Sequence, residues 1–92
     1  MTIFEIEYLN YIDLADKISL RAELKYEEGD YFGAVKQYYY ASNLYEQAKE
    51  LADMKLDISK RIRAQQKELY CQEKLDELER FKHASKDEVI KE

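Results

Sequence analysis

Apolar residues recur every three or four positions through most of this chain, and they do so in three blocks. In the first, Phe4, Tyr8, Ile12, Ala15, Ile18 (or Ser19), Ala22 and Tyr26 make a helical stripe that stops at Glu27-Glu28-Gly29. Ile6, Leu9, Leu20 and Leu24 fall off the stripe and broaden its apolar arc. The second block starts at Tyr31. It sets Tyr31, Ala34, Tyr38, Ala41, Tyr45, Ala48 and Ala52 on one face and Tyr40, Leu44 and Leu51 on another. A helix apolar on two sides has neighbours on two sides. The third block carries Ile58, Ile62, Leu69, Leu75 or Asp76, and Leu78, a seam interrupted by Gln65, Gln66 and Gln72.

The breaks between blocks differ in clarity. Gly29 can take the left-handed conformation that ends a helix, and Asp30 can cap the next. At Ala52-Asp53-Met54-Lys55 neither Gly nor Pro marks a turn, although Asp53 or Asp57 could cap a third helix. The pattern predicts helices over about 3–28, 31–53 and 56–82, and short connections force neighbours to be antiparallel. The expected fold is all-α, an up-down-up three-helix bundle over residues 1–82, followed by a charged, frayed tail over 83–92. The competing layout fuses the second and third helices into one rod, whose apolar faces a second chain would have to cover. In the bundle, alanines on the second helix allow close approach while tyrosines fill the remaining space.

Composition narrows the classes. The chain has 92 residues, no Pro, glycines only at 29 and 33, and 38% charged residues, which exclude a sheet and favour helix. One cysteine, Cys71, provides no disulfide framework and no multi-cysteine metal knuckle, and reads as an ordinary buried or half-buried helix residue. No apolar run approaches the roughly 20 residues that span a bilayer. The N-terminal segment carries Glu5 and Glu7 where a signal peptide would carry base, so a cytoplasmic protein without direct membrane insertion is expected. The net charge of −5 is concentrated in residues 1–30, which hold eight acids against three bases. That balance argues against nucleic acid and favours basic partners.

Candidate chemistry is sparse. The single histidine, His83, lies in the expected tail, and no second histidine or cysteine stands at metal-ligand spacing. There is no Gly-rich phosphate loop and no nucleophile elbow, so neither enzyme activity nor a cofactor or metal is expected. A groove is the better candidate. Gln66, Tyr70, Glu73 and Glu77 share one face of the third helix, and Gln37, Tyr40, Leu44 and Leu51 share the second face of the helix before it. A channel between them would suit an amphipathic helical peptide, with the tyrosines as floor and the amides and acids as rim.

The residues Ala15, Ala22, Gly29-Asp30-Tyr31, Ala34-Val35, Tyr38, Ala41, Tyr45, Ala48, Ile62-Arg63-Ala64 and Glu68 together resemble the microtubule-interacting and trafficking (MIT) domain. The likeness covers about residues 12–78 without a gap. It implies a three-helix adaptor that holds helical tails of membrane-remodelling filament proteins of the ESCRT-III type, and it sets Tyr70, Cys71 and Lys74 at the family's apolar and two acidic positions. Tyr31, Ala34, Tyr38 and Ala41 are equally similar to the tetratricopeptide repeat. A single copy, no closing proline and long helices favour the MIT-like reading. The expected function is therefore a binding module, monomeric, for the helical tail of another protein. A self-associating helical assembly protein, with a homodimer as its simplest form, is the alternative.

Overall fold

A computed structural model describes the backbone of residues 1–91 and the side chains of residues 1–80; the tail expected over 83–92 lies outside the fully described residues. Three helices follow one another, α1 (Ile3–Glu27), α2 (Tyr31–Met54) and α3 (Ile58–Lys91), with α2 packed against both of the others. The molecule is an all-α three-helix bundle, and its architecture is compatible with a three-helix module.

Each helix starts on a side-chain cap. Thr2 Oγ1 accepts from the Glu5 amide at 3.1 Å, Asp30 Oδ1 from Gly33 at 2.9 Å and Asp57 Oδ1 from Lys60 at 3.2 Å, satisfying amides that a helix start leaves unpaired. A Cβ at Gly33 would lie 2.8 Å from Asp30 Cγ, so the cap needs glycine there. Gly29 ends α1 at φ 83°, with the Asp30 amide bonded back to Lys25 O at 2.9 Å. The second turn uses the same device without glycine. Leu56 sits at φ 55°, and the Asp57 amide reaches back to Ala52 O at 2.9 Å. The chain therefore turns between Met54 and Ile58, and no fused rod forms.

The core is built from small residues and tyrosines. Ala15 and Ala22 of α1, Ala34, Ala41, Ala48 and Ala52 of α2, and Ala64 and Cys71 of α3 have no exposed surface. Tyr8, Tyr38, Tyr45, Ile12 and Leu78 occupy the space between them. The expected stripes of the first two helices are in place, except that Tyr26 and Tyr31 are exposed and meet in a tilted ring contact, 5.5 Å between centroids and 59° between planes, beside the Gly29 turn. The third seam differs from expectation. Ile58, Ile62 and Leu69 are 70%, 46% and 48% exposed; Leu78 and Cys71 are buried and Leu75 packs against the core as expected, while Ala64 and Glu68 take the places expected of the large apolar residues. Facing the large tyrosines of α2, small side chains permit an approach that isoleucine and leucine would prevent.

Candidate functional site

α1 and α3 run parallel on either side of α2 and meet through long side chains. The pairings ascend together: Tyr8 Oη donates to Lys60 O at 2.9 Å, Lys67 Nζ to Asp16 Oδ1 at 3.0 Å, and Tyr70 Oη to Glu23 Oε1 at 2.7 Å. Lys60, Lys67 and Lys74 recur every seven residues on α3, and each sits over a tyrosine ring, those of Tyr8, Tyr45 and Tyr70, at 5.6–6.0 Å from the centroid. Buried tyrosines of α2 close the bottom of the space between the flanking helices.

Between these crossings the surface opens into a cleft with two compartments. The larger, about 640 Å³, is lined by Asp16, Ser19 and Leu20 of α1, Tyr45 of α2, and Arg63, Gln66, Lys67 and Tyr70 of α3. The smaller, about 240 Å³, is lined by Glu23, Tyr26 and Glu27, by Tyr38, and by Tyr70, Lys74, Glu77 and Leu78. Tyr70 belongs to both and divides them.

The floor is held in a neutral, hydrogen-bonded state. Asp16 accepts from both Tyr45 Oη and Lys67 Nζ, joining all three helices at one carboxylate. Burial, and then the hydrogen bond to Asp16, push the Tyr45 phenol well above its ordinary range. Burial does the same for Tyr38, helped by Tyr70 and Glu23. At the divider, the hydrogen bond to Glu23 comes first and burial second in carrying the Tyr70 phenol up to about 12. These tyrosines donate hydrogen bonds and offer ring faces; none is poised to act as a base near neutral pH. Among the described residues, no group of three His, Cys, Asp or Glu side chains is placed to hold a metal ion, and no helix is long and apolar enough to cross a membrane.

The eight residues expected to form one channel are divided by the structure. Gln66, Tyr70 and Glu77 line the α1–α3 cleft, and Glu73 is exposed beyond its edge on α3. Leu44 packs against the core. Gln37 and Leu51 are half-buried and Tyr40 is exposed. On α2, Leu44 stands about 140° round the helix from Lys49, which reaches Glu68 on α3 at 3.0 Å. Gln37, Tyr40 and Leu51 share Leu44's flank, which turns away from α3. The sequence reading missed Asp16, Leu20, Glu23, Glu27, Arg63 and Lys67. Their signal was a polar stripe beside the α1 stripe, Asp16, Glu23 and Glu27, matched by the seven-residue lysine repeat on α3.

Compared with known proteins, the chain matches no family model, no curated protein and no solved structure.

Proposed function

We propose that this chain is a protein–protein interaction module that seats a short amphipathic helix of a partner in the α1–α3 cleft. One observation carries the reading: between their crossings the flanking helices leave a trough floored by Tyr38 and Tyr45 and edged by the exposed apolar surfaces of Leu20, Tyr26 and Tyr70. A trough with an aromatic floor and a charged edge buries one apolar face of a helix while its polar face stays in water. The role is binding, with no cofactor and no nucleic acid, and a cytoplasmic setting suits it. The resemblance to the MIT domain makes the tails of ESCRT-III-type membrane-remodelling proteins the first peptides to try.

The test is an NMR titration of the full chain with such tail peptides. Micromolar binding, about −8 kcal/mol, is expected for a short segment that must order on docking. Shifts should centre on Ser19, Leu20, Gln66 and Tyr70. Tyr70→Asp should abolish them while the helical circular dichroism persists, because the new carboxylate would face Glu23. Shifts confined to α2 and the outer face of α3 would move the site elsewhere.

A second reading, self-association, is favoured by the outer face of α3. Ile58, Ile62, Gln65, Leu69 and Gln72 follow the three-and-four spacing of a helix–helix seam, and the three apolar members are exposed. Solution mass across concentration separates the two: a monomer supports the module, and a dimer that Leu69→Lys dissolves supports assembly.

A further inference from the structure

The two compartments of the cleft carry opposite charge. In the larger, Arg63 and Lys67 stand against Asp16 alone, and Asp16 is already engaged by Lys67 and Tyr45. Arg63 is exposed and has no ion-pair partner among the described residues. Among the described residues, the smaller compartment holds Glu23, Glu27 and Glu77 against Lys74 alone. Lys74 pairs with Glu77 at 3.6 Å, and Glu23 accepts from Tyr70, so among the described residues Glu27 is the acid left without a partner. The division falls at Tyr70, and Arg63 and Glu77 lie fourteen residues apart on α3, about 21 Å along its axis.

From this we infer that the partner segment is a charge-segregated amphipathic helix of about four turns, acidic at one end and basic at the other. Its acidic end lies against Arg63, near the start of α3, and its basic end against Glu23 and Glu27, near the end of α1. Apolar residues between them rest on Leu20 and Tyr70. Uniformly basic or uniformly acidic helices are mismatched at one compartment each. Full side-chain charges outweigh the half-charges of a helix dipole, so charge order sets the direction in which the segment lies. The inference rests on the cleft being the helix-binding site.

Three 18-residue synthetic amphipathic peptides of identical composition test it against the full chain: acids first, bases first, and charges interspersed. Each carries a nitroxide at its acidic end or, for the interspersed peptide, at its N-terminus. Both segregated peptides should bind about fivefold to tenfold more tightly than the interspersed one, the sum expected of a few exposed ion pairs. In both, the nitroxide should broaden amides around Arg63 and spare those around Glu27. The double variant Arg63→Glu with Glu27→Lys should move the broadening to the Glu27 end. Equal affinity for all three peptides, or broadening at both ends, overturns the charge assignment while leaving the cleft as a binding site. Absence of binding by all three overturns the cleft itself.

Discussion

Lys49 Nζ donates to Glu68 Oε1 at 3.0 Å across the α2–α3 interface, and Glu68 is the one charged residue buried among the described residues, 6% exposed. A carboxylate this enclosed depends on its partner, because removing one member leaves an uncompensated charge. The pair costs little as a unit and much when broken.

Lys49→Met should therefore destabilise by about 2–3 kcal/mol, somewhat less than for a fully enclosed pair because part of Lys49 reaches solvent. Lys49→Met with Glu68→Leu should recover most of that loss. Urea denaturation of the two single variants and the double closes the cycle, and simple additivity would show that the pair is not coupled.

Leu56→Gly should stabilise the chain. A leucine in the left-handed region costs about 1–2 kcal/mol, and the extra freedom glycine gives the unfolded chain returns about half of that. Leu56 is 87% exposed, so little burial is lost. Calorimetry should show Tm higher by about 2–8 °C; a lower Tm would mean the leucine side chain holds the turn.

Ala41→Leu should cost about 1–3 kcal/mol by overpacking, since Ala41 has no exposed surface on the central helix. Ala41→Gly should also destabilise, by about 1 kcal/mol from helix propensity. A thermal midpoint unmoved by the leucine would mean that the close approach of the helices is not what holds them.

Alkaline stability follows from the buried or hydrogen-bonded hydroxyls and the buried thiol. Burial raises the Tyr8, Tyr38 and Tyr45 phenols, the Glu23 bond takes Tyr70 to about 12, and burial takes the Cys71 thiol to about 11. Every one of these folded-state values lies above its unfolded value, 9.0 for the thiol and 10.0 for the phenols. Their contribution is complete below the unfolded values and is lost as pH rises through the folded ones. With respect to these groups, urea midpoints should stay level from about pH 7 to 9 and fall above about pH 10, and Tyr70→Phe should flatten that fall.

The first two helices and the turn between them were legible because each was signalled twice, by periodicity and by a glycine followed by a capping Asp30. The second turn was legible only as a gap, since Leu56 occupies a position where glycine is the usual marker. In α3 the sequence misled for a physical reason: large apolar side chains at Ile58, Ile62 and Leu69 outweigh Ala64 in any reading by hydrophobicity, whereas packing against tyrosines selects for small volume. Glu68 enters the core through Lys49, a partner nineteen residues away that no single-helix pattern reveals. The cleft was half legible. Of the four α3 residues expected on one face, Gln66, Tyr70 and Glu77 line the cleft and Glu73 does not; helical periodicity fixes which residues share a face and not which neighbouring helix that face meets.

Cys71 is fully enclosed, and burial keeps its thiol protonated far above neutral pH. Alkylating reagents and oxidants act on the thiolate, so they find no target in the folded wild-type chain. A single cysteine placed at an exposed α2 position such as Asn43 or Glu46 would consequently be the sole reactive thiol, and fluorophores can be attached site-specifically without first removing the native one.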